Sequence, residues 1–128
     1  MFMLKLFKAS IEKKLFYLNN FGNHKRDFTY IHDATTSLYK IMKKKKQGNE
    51  VINICSDKPI KILDIINHFK KNNYINVKLT KMHRADVKDT HGSNKKLKKV
   101  IGDFKVSNFF DCFYRTYEWY IKNNIKDL

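Results

Sequence analysis

The stretch GNHKRDFTYIHDATTSLYKIM, residues 22–42, holds a turn, a short apolar run and a helix start in immediate succession. Its Arg26 is one of three arginines in a chain with 24 lysines, so lysine is the default cation here. Arginine differs in presenting a planar fork that grips a phosphate or carboxylate through two parallel hydrogen bonds. Upstream, Asn19, Asn20, Gly22 and Asn23 supply turn chemistry, because Gly and Asn tolerate backbone conformations that other residues resist. Phe16 to Leu18 and Asp27 to Ile31 read as short strands flanking that turn. Asp33 is placed to cap a helix whose Ala34, Leu38, Ile41 and Met42, at i, i+4, i+7 and i+8, form one apolar face.

Outward from this stretch, helices and strands alternate. Residues 2–14 put Leu4, Phe7 and Ile11 on one face of a first helix, a stripe to bury. EVINICS, residues 50–56, is a short apolar run of the kind a parallel sheet covers on both faces. Pro59 precedes a helix with Ile62, Ile66 and Phe69 on one face; NVKLTKM, residues 76–82, is the next strand, and HRADVKDTHG, residues 83–92, is irregular. A short helix at Leu97–Ile101 ends at Gly102, read as a left-handed C-cap. Ser107 is placed to cap a last helix that turns Phe109, Phe110, Phe113, Tyr117, Tyr120 and Ile121 inward. The sequence has no internal repeat, and its one low-complexity tract, Lys43–Lys46, sets cations at the negative end of the second helix. The pattern is an α/β fold of short strands alternating with helices, in one domain spanning residues 1–128.

Composition narrows the function classes. A chain of 128 residues buries a modest core but is small for an enzyme holding both a dinucleotide and a substrate. Its 42% hydrophobic and 14% aromatic content excludes a disordered chain, and the lack of any 18-residue apolar run excludes a membrane span. Lys5 and Lys8 interrupt the apolar start and no small-residue cleavage site follows, so it reads as a helix, not an export signal. Cys55 and Cys112 form no CxxC pair, which points to a reducing cytoplasm with both thiols buried. His24, His32, His68, His83 and His91 lack metal-ligand spacing. The net charge of +15 raises nucleic acid as a partner. Two features weigh against it: Lys, Asn and Ile share A/T-rich codons, and the aromatics fall at core spacings and are not interleaved with the cations.

In such folds ligands meet the loops at strand ends. Here those loops are GNHKR (residues 22–26) and HRADVKD (residues 83–89), each with an Arg and a nearby Asp. A guanidinium for phosphate and a carboxylate for a sugar hydroxyl would suit a phosphorylated sugar ligand. Arg26 with Asp27 reads equally well as a surface pair or turn device.

GNHKRDFTYIHD, VINICSDKPIKILDII, ADVKDTHGSNKKLKKVIG and FYRTYEWYIKN, taken in order, resemble the C-terminal substrate-binding portion of the NAD-dependent epimerase/dehydratase family, the extended short-chain dehydrogenases. The likeness is nearest to UDP-glucuronate 4-epimerases and runs from about residue 2 to residue 123. It implies that Arg26 contacts the nucleotide diphosphate, that Asp86 lies near the uridine ribose, and that Asp27 serves local structure. Arg84 shares the Asp86 loop, although many relatives carry their phosphate-facing Arg one position earlier, where this chain has His83. His32 stands where relatives have the first acid of an Asp-Asp pair completed by Asp33; Cys55 replaces a Gly, and Ser93 an acid.

The resemblance also implies what these residues do not supply. Relatives begin with a Rossmann half that carries a Gly-rich dinucleotide loop and a catalytic Tyr-x-x-x-Lys pair. The glycines here, Gly22, Gly48, Gly92 and Gly102, fit no such loop. Tyr39–Lys43 and Tyr74–Lys78 match the pair by spacing, but both follow the RDF block where the family's pair precedes it, and a lysine-rich chain gives such strings by chance. The expected function is that of a truncated or split UDP-sugar epimerase for surface-polysaccharide precursors. It would grip UDP-sugar while NAD binds a separate Rossmann half or the chain self-associates, and the isolated chain would be inactive. Two alternatives stand beside it: a non-catalytic UDP-sugar-binding module and a basic nucleic-acid-binding module.

Overall fold

The computed structural model describes residues 2–44, 48–84 and 86–123. Lys45 and Lys46 of the lysine run lie outside them. Helix α1 (Phe2–Ile11) leads through a left-handed Lys13 (φ 53°) into β1 (Leu15–Leu18), which pairs in parallel with β4 (Asn76–Leu79) in the register Leu15↔Asn76 to Leu18↔Leu79. A tight turn at Asn19–Gly22 follows, then β2 (Lys25–Arg26), antiparallel to β3 (Ile60–Lys61). The remaining helices are α2 (Ile31–Met42), α3 (Ile62–Lys70), α4 (Lys95–Ile101) and α5 (Phe109–Lys122). The α/β class expected from the alternation is the one observed.

The main core lies between α1, α3, α5 and the β1/β4 pair. Phe7, Phe69 and Phe113 sit at its centre, with Leu6, Leu18, Ile62, Ile65 and Ile66 around them. Rings meet edge to face, Phe7 on Phe113 at 5.2 Å and Phe69 on Phe113 at 5.7 Å, the arrangement the ring quadrupole favours. Ile62, Ile66 and Phe69 face inward as their spacing implied, joined by Ile65. A second, smaller core of Leu97, Ile101 and Phe104 lies under α4.

Several local expectations are corrected. On α1 only Phe7 of the stripe is buried; Ile11 is exposed, and the inward face is Leu6, Phe7, Ala9 and Ser10, because the Ser10 hydroxyl donates to the Tyr74 carbonyl at 2.6 Å and rolls the helix that way. Asp27–Ile31 is not a strand: β2 ends at Arg26 and α2 starts at Ile31. Asp33 therefore stands inside the first turn, with Tyr30 at the N-cap, and its carboxylate accepts from Ser107 N (3.0 Å) and Ser107 Oγ (2.7 Å). That bond removes Ser107 from capping α5; Asn108 Oδ1 caps it instead, accepting from Phe110 N (2.9 Å) and Asp111 N (3.2 Å). With Asp33 turned inward, α2 buries Asp33 and Ser37 and leaves Leu38 and Met42 exposed.

Residues 50–56 form no strand among the described residues. A parallel strand needs a neighbour along its hydrogen-bonding edge, and both two-stranded sheets pair elsewhere. Val51 is 85% exposed, while Ile52 and Ile54 pack on the small core. Cys112 is buried but Cys55 only half so. Ile121 is exposed, one position past the inward Tyr120. Gly102 has the positive φ expected (81°), but its ψ of −158° lies outside the left-handed helical region.

Candidate functional site

The two loops singled out in the sequence meet at the ends of β1 and β4. After β1 the chain turns through Asn20 (φ 50°), Phe21 (φ 53°) and Gly22 (φ 73°), three left-handed residues in succession. Asn tolerates this backbone and Phe does not, so the turn must be held from outside. Phe21 N donates to Thr80 O at 3.1 Å, and Thr80 N to Leu18 O at 2.9 Å, tying the turn to the end of β4. Glycine is required at 22, where a Cβ would lie 2.9 Å from Leu18 Cδ2 and 3.0 Å from Leu63 Cβ.

Beyond the turn, β2 holds the 83–92 loop. Lys25 N donates to Asp89 Oδ1 at 2.7 Å and Thr90 N to Lys25 O at 3.1 Å. Arg26 completes the junction: Nη1 donates to Lys25 O (2.8 Å) and Lys88 O (2.9 Å), and Nη2 to Val87 O (2.5 Å). A lysine, with no fork, would not gather carbonyls from two segments in this way. Nε–H and the second Nη2 hydrogen have no acceptor among the described residues.

Asp27 is a second junction. Its Oδ1 accepts from Ser56 Oγ, and its Oδ2 from Asp57 N (3.2 Å) and Gly92 N (3.0 Å). Asp57 in turn accepts from His91 Nε2 (2.6 Å) and Asn94 N (3.4 Å), and the His91 bond sets its pKa below the ordinary value. At Gly92 a Cβ would come within 2.7 Å of Cys55 Sγ, so the Cys55 side chain fills the space a larger residue at 92 would need.

Between the loops lies a small cleft, open to solvent, with a cavity volume of about 10 Å³. Asn19, Asn20, His24 and Arg26 line it from the first segment of chain, and Met82, Asp86 and Val87 from the second. Asp86 is fixed by Asn19 Nδ2 (2.9 Å), whose own Oδ1 accepts from Thr80 Oγ1 (2.9 Å). His24 Nδ1 is buried without a hydrogen-bond partner among the described residues. Burial, then the Arg26 charge, hold its pKa below the usual value, against the opposing pull of Asp86 and Asp89. The structure thus brings Arg26 and Asp86 to one cleft, while Arg84 lies exposed in the same loop outside it. Asn19 and His24 were not singled out as site residues in the sequence: a turn asparagine and a lone histidine carry no motif.

The residues lining the cleft include a guanidinium, an imidazole and an oriented carboxylate, residue types suited to an anionic, hydroxyl-bearing ligand. No group of three or more His, Cys, Asp or Glu that could hold a metal is present among the described residues. Tyr39 is exposed, with the Lys43 ammonium 4.3 Å over its ring. No helix among the described residues is long and apolar enough to cross a membrane.

No family model matches the chain. It is 31% identical over 108 residues to the uncharacterized protein MJ1055 of Methanocaldococcus jannaschii, covering 81% of this chain and 32% of that protein. It is similar in structure to the UDP-glucuronic acid 4-epimerase from Bacillus cereus in complex with UDP-glucuronic acid and NAD, at 27% identity and a TM-score of 0.85, covering 97% of this chain and 40% of that one. The fold likewise matches MoeE5, solved with UDP-glucuronic acid and NAD, at 18% identity and a TM-score of 0.87 over 96% of this chain and 42% of that one. The chain thus spans about a third of the curated relative and two-fifths of these structures. Its fold is that found in extended short-chain dehydrogenase epimerases and dehydratases.

Proposed function

We propose that these residues are the substrate-gripping portion of a nucleotide-sugar epimerase, and that the cleft between residues 19–26 and 82–89 binds a UDP-sugar, UDP-glucuronate first among them. The observation that carries this reading is the convergence of Arg26 and Asp86, 60 positions apart in sequence, on the lining of one cleft. The choice of glucuronate is supported by the 27% identity to the Bacillus cereus enzyme crystallised with that ligand. In this reading Arg26 has two tasks: its Nη groups lock the 87–88 carbonyls, and its remaining edge faces phosphate. Asp86, held by Asn19, accepts from a ribose hydroxyl.

NAD would supply the reversible removal of hydride from the sugar. The residues here do not fit it: none of Gly22, Gly48, Gly92 and Gly102 belongs to a dinucleotide-binding spacing. The cofactor is therefore assigned to a Rossmann unit outside residues 1–128, and the isolated chain is assigned binding without turnover. Leu38 and Met42 of α2 and Val51 are exposed apolar side chains available to such a unit or to a second copy.

Titration of isotope-labelled protein with UDP-glucuronate, following backbone amides, tests the reading. Shifts confined to residues 19–26 and 80–89 are expected, weakened in Arg26→Lys, which keeps the charge and loses the fork. Shifts elsewhere, or a response only to a single-stranded RNA control, would refute it. Conversion of UDP-glucuronate by the chain with added NAD would refute the assignment of binding alone.

A further inference from the structure

We propose that His24 contacts the diphosphate of the nucleotide-sugar ligand through Nδ1 and takes up a proton as that ligand binds; the inference rests on the UDP-sugar reading above. It begins from how the polar groups of the cleft are engaged. Asp86 is held by Asn19, the Asn19 amide bonds at both ends, Asn20 Nδ2 donates to Asn23 O at 2.9 Å, and Arg26 spends three hydrogens on carbonyls. His24 Nδ1 is the exception, buried and bonded to nothing among the described residues. Buried polar atoms without a partner are rare in folded proteins, and each calls for a physical explanation, of which a bound group is one. His24 and Arg26 both line the cleft, two positions apart in the chain, so an anion seated at the guanidinium is within the same small site as the imidazole.

The charges around the ring set the direction of proton movement. Arg26 on β2 disfavours the imidazolium, while Asp86 and Asp89 on the opposite loop favour it. The start of α3 meets His24 through the Ile62 N–H, which donates to the His24 carbonyl at 2.9 Å. In the free protein burial and Arg26 prevail, and the ring's pKa lies below the ordinary histidine value. A diphosphate seated between Arg26 and His24 neutralises the repulsion and gives Nδ1–H an acceptor, so the protonated form is favoured in the complex. By linkage, affinity falls as pH rises between the free-state and bound-state midpoints, by up to about tenfold per pH unit for one proton, and is flat on either side.

The test is binding of UDP-glucose to the 128-residue chain across about pH 5.5–8.5 at constant ionic strength, with the His24 ring resonances followed alongside. A nucleotide sugar is the right probe because its diphosphate is esterified at both ends. A phosphate monoester loses its second proton near about pH 6 and would add a slope of its own. The expected result is affinity falling at least threefold per pH unit over part of the range, a His24 midpoint raised by ligand, and a flat profile in His24→Gln. Binding with a flat profile in the wild type, or the same slope in His24→Gln, overturns the proton-linked contact and leaves the UDP-sugar reading standing. No binding at any pH overturns both. Should His24→Gln unfold, the wild-type His24 titration with and without ligand still decides, a midpoint unmoved by ligand overturning the contact.

Discussion

Gly92→Ala is a sharp test of the junction behind the cleft. The added Cβ would sit 2.7 Å from Cys55 Sγ and 2.9 Å from Cys55 Cβ. The sulfur could rotate aside, but the Cys55 Cβ moves only with the backbone of residue 55, whose carbonyl is bonded by Asn94 Nδ2 at 3.3 Å. Overpacking of this kind costs about 1–3 kcal/mol. Restricting the unfolded chain returns about 0.4–1 kcal/mol. The expected net loss is about 1–2 kcal/mol, or a fall in Tm of about 4 °C per kcal/mol for a chain of this size, read by urea and thermal unfolding monitored by circular dichroism. Cys55→Gly alone should cost about 1 kcal/mol through added backbone freedom. Combined with Gly92→Ala it removes both offending atoms, so the double variant should be more stable than the two single losses predict by about 1 kcal/mol or more. Losses that add to within about 0.5 kcal/mol, or a neutral Gly92→Ala, would refute the claim that Cys55 occupies the space in front of Gly92.

Asp27→Ala leaves Ser56 Oγ, Asp57 N and Gly92 N without their acceptor, and should cost about 2–3 kcal/mol in urea unfolding; a loss below about 0.5 kcal/mol would show that the three donors find water freely. Asn108→Ala should cost about 1 kcal/mol by removing the α5 cap, whereas Ser107→Ala should disturb the Asp33 contact and leave the helix content of α5 intact by amide exchange. Asp57 has a folded pKa below its unfolded one, owing first to the His91 bond. Its contribution is therefore present above the ordinary carboxylate range, about pH 4, and lost as pH falls through the folded value. The drop in unfolding midpoint on acidification should be smaller in Asp57→Asn.

What the sequence made readable is the part governed by local periodicity or by a single chemical type. The 3.6-residue spacing of Ile62, Ile66 and Phe69 placed α3, and the scarcity of arginine marked Arg26 before its partners were known. Two of the misreadings share an origin: a polar side chain was assigned to its nearest backbone, and a distant partner claimed it instead. Asp33 and Ser107 each look like helix caps, and they bond to each other across 74 positions. Ser10, four residues beyond Leu6, turned α1 toward Tyr74, 64 positions away. The run at residues 50–56 has the composition of a buried strand, but composition does not say which edge will receive it. The orphaned nitrogen of His24 was invisible for the same reason: burial of one ring atom follows from how two remote loops close.

The parallel pairing of β1 with β4 also has a consequence during synthesis. β1 is complete at residue 18, yet its first partner residue is Asn76, and the Phe7 ring awaits Phe113. During synthesis α1 and β1 therefore stand without either mate while the residues up to Asn76, and then up to Phe113, are made. Contacts closed over such separations form late and slowly, and the exposed strand edge is meanwhile open to other chains. Stalling or truncation ahead of α5 should yield insoluble product in place of a smaller folded unit, because α5 closes over α1 through Phe7 and Phe113.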